Sequence, residues 1–180
     1  MGRKNNKTDK NSPEYLYAQV AGGRYALLLI LIFTLVNLLM VMVDTDRYFL
    51  FSASVPYYLT LLGKAMDNGF ADGNWDVTGT YTNTALVISA VILIVYFLCW
   101  LLSRNRGGWL TGALVLFVLD SSALVLFTYV LYGSPLANVM DIFLHGWGLW
   151  QLFQAVKSNK KLKELQKKAA ARRAEDSPEA

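Results

Sequence analysis

The sequence predicts an all-α integral membrane protein: a four-helix transmembrane bundle with an extracytoplasmic re-entrant or interfacial segment and a basic cytoplasmic C-terminal helix. Three observations predict it. Of 180 residues, 54% are hydrophobic and the mean hydropathy is +0.33, more apolar surface than a soluble domain of this size usually carries. The apolar residues fall into blocks close to the ~20 residues that cross a ~30 Å hydrocarbon core. The charges, net +4, crowd into the ends and two of the loops.

The first block, 25–43, carries no charge and follows a basic cytoplasmic arm, 1–24, that contains Arg3, Lys4, Lys7, Lys10 and Arg24. It ends in Asp44, Thr45, Asp46 and Arg47 rather than in a small-residue cleavage site, so it reads as an uncleaved signal anchor. Gly2 is not followed by the Ser or Thr of a myristoylation start, because Asn6 occupies that position. The remaining spans are 84–102, 109–132 and 135–156, with Pro135 in the first turn of the last, where a missing N–H does no harm. Together they give a transmembrane domain over 25–156 with an outer loop at 44–83.

Orientation follows from Lys and Arg. The arm has five, the 44–83 loop two (Arg47, Lys64), the 103–108 loop two (Arg104, Arg106), the Gly133-Ser134 turn none and the tail 157–180 eight. That alternation places both ends in the cytoplasm of a multi-pass cell-membrane protein. Trp100, Trp109 and Trp150 toward the inner ends, and Tyr129 and Tyr132 toward the outer, supply the aromatic belts.

The segment 48–62 is apolar but short, broken by Pro56 and sprinkled with Ser and Thr. A span there would put the eight-cation tail outside, so it is expected to be re-entrant or interfacial, with Tyr57 and Tyr58 near the headgroups. The loop beyond it is acidic and turn-rich. Asp72, Asn74 and Asp76 have the alternate spacing of a calcium loop, but Val77 and Asn83 stand where Gly and Glu are required, which favours a solvated turn. In the tail, Lys160, Glu164 and Lys168 are spaced four apart beside Leu162 and Leu165, so a helix is expected to continue the fourth span and to meet anionic lipid at the inner leaflet. Nothing in the tail supplies the aromatics or Gly-rich turns of a nucleic-acid reader. Cys99 is the one cysteine, so no intrachain disulfide forms.

Chemistry concentrates inside the bilayer, where a carboxylate near a helix centre costs about 2.5–3.5 kcal/mol on insertion scales. Asp120 lies mid-helix in the third span. Asp141 precedes His145 by four residues in the fourth, with Asn138 three before Asp141, so these share a face. At a 1.5 Å rise, Asp120 sits roughly 16 Å from Trp109, His145 roughly 16 Å from Val156 and Asn37 roughly 18 Å from Tyr25. Asn37, Asp120 and His145 thus fall near one depth, with Asp141 about 6 Å further out.

This cluster of Asn37, Asp120, Asp141 and His145 admits three readings: a polar clamp between helices, a proton-, ion- or solute-handling site, or an intramembrane hydrolase. The patterns specific to intramembrane proteolysis are missing, because Ser121 and Ser122 have no neighbouring glycine and neither aspartate follows Gly-x-Gly. A lone histidine without His-Glu-x-x-His excludes a histidine-rich metal centre, and no motif calls for a cofactor. With no evident internal repeat, four spans are few for an autonomous transporter. The sequence therefore favours a small transport or assembly component, in a homo-oligomer or a larger membrane complex. Gly146, Gly148 and the Ala85/Ser89 pair read as close-packing positions.

Overall fold

A computed structural model describes residues 10–43, 45, 48–71, 79–104 and 107–175. The arm residues Arg3, Lys4 and Lys7, the loop residues Arg47, Asp72, Asn74, Asp76 and Arg106, and the terminal Asp176-Ser177-Pro178 lie outside them. Among the described residues every regular element is a helix: α1 (Pro13–Met42), α2 (Ser54–Ala71), α3 (Thr80–Leu102), α4 (Gly108–Tyr132), a 3₁₀ turn (Pro135–Asn138) and α5 (Val139–Glu175). Three of them, α1, α3 and α4, are long and apolar enough to cross a membrane. The fourth expected span opens as the 3₁₀ turn and becomes α-helical at Val139. Its apolar part carries Asp141, His145, Gln151 and Gln154, which dilute its hydropathy, yet Asp141 and His145 point inward and are buried.

Helix α1 begins twelve residues before its apolar block. The Ser12 side chain accepts the Tyr15 N–H at 3.3 Å, Pro13 opens the first turn and Glu14 faces the helix dipole, a combination of cap, proline and acid that starts helices generally. The added turns run antiparallel to the second half of α5, with Leu16 and Leu162 buried. A Cβ on Gly23 would lie 2.3 Å from the Ala155 Cβ, so glycine sets that close approach. Arg24 closes the junction, its Nε donating to the Ser103 Oγ at 3.1 Å and its guanidinium lying 5.8 Å from the Trp100 ring.

Helices α2 and α3 form an antiparallel hairpin. Their tightest point is Gly63, where a Cβ would meet the Tyr81 carbonyl oxygen at 2.7 Å and the Ala85 Cβ at 3.0 Å. The Thr60 and Ser89 hydroxyls both donate to the Pro56 carbonyl, at 2.8 and 3.1 Å. The Ala85/Ser89 pair thus serves a contact within the chain. Gly79 at the start of α3 supplies no side-chain cap. Asp67 of α2 does so instead, accepting the Tyr81 N–H at 3.1 Å, the Thr82 N–H at 2.8 Å and the Thr82 hydroxyl. Lys64 donates to the Val41 carbonyl at the end of α1.

Leu27, Ile30, Tyr96, Phe117 and Leu152 fill the core together with Phe51 and Ala53, which belong to the non-helical stretch before α2. The outer surface is as apolar as the core, with Leu35, Leu39, Val87, Val91, Leu119, Val130 and Phe143 exposed while Thr34, Asn37, Asp120 and His145 are buried. Water as solvent would reverse that arrangement; hydrocarbon favours it.

Gly63→Ala should lower the melting temperature in detergent, by the equivalent of about 1–3 kcal/mol, whereas Gly69→Ala, whose Cβ meets nothing within 4 Å, should be neutral or slightly stabilising. Burial raises the Asp67 carboxyl, but hydrogen bonds from the Thr82 hydroxyl and from the Thr82, Tyr81 and Gly79 backbones outweigh it and hold the group below its ordinary 3.8. A carboxylate whose folded pKa is depressed stabilises above its unfolded pKa. The advantage of wild type over Asp67→Asn should therefore be full at neutral pH and disappear as the pH falls below 3.8 through the lower folded value, measured by melting across that range.

Candidate functional site

Before α2 the chain is non-helical over residues 48–53 and enters the interior of the bundle at residues 51–54, so its backbone polar groups need partners that no water provides. Side chains of two helices, α1 and α4, provide them. Asn37 of α1 pairs with Phe49 as a neighbouring strand would, accepting its N–H at 2.6 Å and donating to its carbonyl at 2.8 Å, and also donates to the Ser52 Oγ at 2.7 Å. Thr34, one turn earlier, accepts the Ala53 N–H at 2.7 Å while donating to the Ile30 carbonyl.

Asp120 of α4 receives the start of α2. Its Oδ2 accepts the Ser54 N–H at 2.8 Å and its Oδ1 the Val55 N–H at 2.9 Å. A helix leaves its first four N–H groups without intrahelical partners and carries about half a positive charge there. Here two of the four go to one carboxylate, and the third position is Pro56, which has no N–H at all. The negative charge of Asp120 is thereby met by a helix terminus deep in the bundle.

His145 of α5 completes the constellation. Its Nε2 lies 3.1 Å from the Ser54 Oγ and 3.4 Å from the Asp120 Oδ2, and its Nδ1 lies 2.9 Å from the Asp141 carbonyl oxygen and 3.3 Å from the Asp141 Oδ1. The Nδ1–H therefore goes to the carbonyl. The Asp141 Oδ1 has no hydrogen-bond partner, but Asp141 sits in the first turn of α5, where the dipole favours a carboxylate. The imidazole stacks on Phe117, with centroids 5.1 Å apart and planes 10° from parallel. The site is sealed: Asn37 is 0%, Asp120 3%, Asp141 5% and His145 2% exposed.

Phe51 locks the segment. It is the one non-glycine with positive φ among the described residues, at 65°, a conformation that strains a residue with a Cβ. Its ring lies 5.1 Å from that of Trp147, against Gly148, where a Cβ would come within 2.9 Å of both Phe51 and Phe117. Gly148 is thus a close-packing position, whereas a Cβ on Gly146 would meet nothing within 4 Å.

Asp120, Asp141 and His145 thus come together, and Asn37 holds the same chain segment one step away. Asn138 does not join their face. It lies in the 3₁₀ turn, out of helical register, and donates to the Tyr58 Oη at 3.0 Å and the Thr128 Oγ at 3.4 Å. Tyr58 is accordingly buried and stacked on Phe127 rather than set at a surface. Ser121 and Ser122 donate to the Phe117 and Val118 carbonyls of their own helix and take no part. The hydroxyl that does face His145 belongs to Ser54, in the short Ser-rich run before Pro56.

An Asp–His–Asp arrangement of this kind can share a proton along its length. It does not suit a metal ion, because the two aspartates lie on opposite ring nitrogens, and no group of three His, Cys, Asp or Glu among the described residues could hold one. Ser54 and His145 have the reach of a nucleophile and its base. The N–H groups that would stabilise an oxyanion beside Ser54 are, however, already bound to Asp120.

Asp120→Asn turns one acceptor into a donor that opposes the Ser54 or Val55 N–H, and should destabilise the protein by about 3 kcal/mol, read as a lower melting temperature in detergent. Ser121→Ala, one residue away, should change it by less than about 0.5 kcal/mol. No protein-family model, curated protein or solved structure matches this chain.

Proposed function

We propose that the chain is a four-span protein of the cell membrane with both ends in the cytoplasm, in which α5 forms the fourth span over 135–156 and α2 re-enters from the outer face. The distribution of Lys and Arg supports this orientation. So does the burial of Asp141 and His145, which leaves Met140, Phe143 and Trp147 exposed on the other face of α5. Helix α2 begins at a carboxylate of another helix and returns beside α3, as a re-entrant helix must.

Its role is that of a small transport or assembly component, and of these two the geometry favours assembly within a homo-oligomer or larger membrane complex. The single observation that carries this reading is the Asp120 carboxylate bound to two consecutive N–H groups of α2, with His145 beside it. A solute-handling carboxylate keeps an oxygen for its cargo; this one is committed to the backbone. The cluster acts as the latch of the re-entrant helix, and the apolar exterior is what a neighbouring subunit or lipid would meet. The second reading, an intramembrane hydrolase, rests on the 3.1 Å approach of Ser54 to His145.

With cysteines introduced one at a time in a Cys99→Ser background, Asn83→Cys should react with an impermeant maleimide on intact cells and Lys168→Cys only after the cells are permeabilised. Reaction of both from the same side contradicts four spans. In proteoliposomes the purified chain should move no protons above the protein-free rate, and a fluorophosphonate should leave Ser54 unlabelled. Proton flux abolished by His145→Gln at unchanged melting temperature would establish transport instead, and labelling lost in both Ser54→Ala and His145→Gln would establish hydrolysis.

A further inference from the structure

At the end of the bundle where the start of α1 and the end of α5 lie together, a cavity of about 340 Å³ opens between α1, the α3–α4 connection and α5. Arg24, Arg104 and Lys163 line it with Ser103, Asn159 and Gln166, and no acidic residue is among its lining. One of the cations is fixed in advance, since Arg24 is held by the Ser103 hydroxyl and the Trp100 ring. Three cations with no acidic side chain lining the cavity among the described residues, one of them preorganised, make a site for a phosphate group.

A second cavity, about 350 Å³ and almost wholly apolar, runs between α1 and α3, lined by Leu28, Leu31 and Leu35 on one side and Leu93, Ile94 and Phe97 on the other. The two share no lining residue but lie in succession along one face of α1. Tyr17, Ala21, Arg24, Leu28, Leu31 and Leu35 follow each other at spacings of four and three, a single stripe along α1. From Arg24 to Leu35 the stripe rises about 16 Å, close to one leaflet of a ~30 Å core.

From this alignment of a cationic cleft with an apolar groove along one stripe of α1, we propose that the chain binds one anionic glycerophospholipid, its phosphate at Arg24, Arg104 and Lys163 and an acyl chain against Leu31, Leu35 and Phe97. The site is separate from the Asp120–His145 cluster. It also differs from a general attraction of the basic tail to anionic headgroups, because it requires particular side chains rather than a sum of charge.

The test is native mass spectrometry of the detergent-purified full chain titrated with phosphatidylglycerol, with phosphatidylcholine, and with phosphatidylglycerol in the presence of inorganic phosphate. One phosphatidylglycerol should be retained, at least tenfold more tightly than phosphatidylcholine. Arg24→Gln/Arg104→Gln/Lys163→Gln should weaken it at least tenfold, while Lys160→Gln/Lys167→Gln/Arg172→Gln, with the same loss of charge at exposed tail positions, should change it less than twofold. Lys163→Gln alone, on an exposed side chain, carries the test should the triple variant fold poorly, and should weaken binding measurably. Phe97→Ala should weaken the lipid and leave any inorganic phosphate binding unchanged. Equal losses in the cleft and tail variants would reduce the effect to diffuse charge and overturn the proposal. Displacement of the lipid by millimolar phosphate would make the cleft a free-anion site, and retention unaffected by Phe97→Ala would remove the acyl groove; each overturns it as well.

Discussion

A backbone that leaves its helix inside an apolar bundle must have every N–H and C=O met by protein, and this requirement organises the molecule. The stretch from Phe49 to Val55 makes the demand. Thr34, Asn37 and Asp120 meet it at the Phe49, Ala53, Ser54 and Val55 backbone, and His145 adds a contact to the Ser54 hydroxyl. Each would be costly facing lipid, and each is stabilised by the segment it holds. The strained φ of Phe51 and the missing side chain of Gly148 follow from the same constraint, since together they let an aromatic ring close the core over the turn.

The starts of α2 and α3 share one solution. Helix α2 is capped by Asp120 from α4, and α3 by Asp67 from α2, each carboxylate accepting from two successive backbone N–H groups. Capping by a residue next in sequence, as Ser12 does for α1, stabilises a helix alone. Capping by a different helix fixes how the two sit together, and so these carboxylates specify tertiary arrangement as well as helix start. Asp120 in addition fixes the level along the bundle at which α2 starts.

Much of this was legible in the sequence, and the part that was not has identifiable causes. The apolar blocks locate α1, α3 and α4 because length and hydropathy alone decide them. Helical rise gives Asn37, Asp120 and His145 one expected depth, and in the structure all three hydrogen-bond to residues 49–55. Their partner stayed hidden, because a segment such as Tyr48–Leu62 shows no periodicity that says which backbone atoms face inward. Thr34, Ser52 and Ser54 were passed over for the same reason; their signal was a set of small hydroxyls in an otherwise apolar run. The twelve extra residues of α1 were marked by Ser12, Pro13 and Glu14, but hydropathy drew the boundary at Tyr25, where the apolar block begins. Asn138 leaves the face of Asp141 and His145 because the chain is 3₁₀ from Pro135 to Asn138, which breaks the helical register that its spacing implies.

The account depends on α2 starting at Asp120, and amide hydrogen exchange in lipid nanodiscs tests that most directly. Peptides covering 49–55 should be as protected as those of α3 and α4 in the wild type. In Asp120→Asn they should exchange many times faster, while α3 and α4 stay protected. Free exchange of 49–55 in the wild type, or equal protection in the variant, would contradict it.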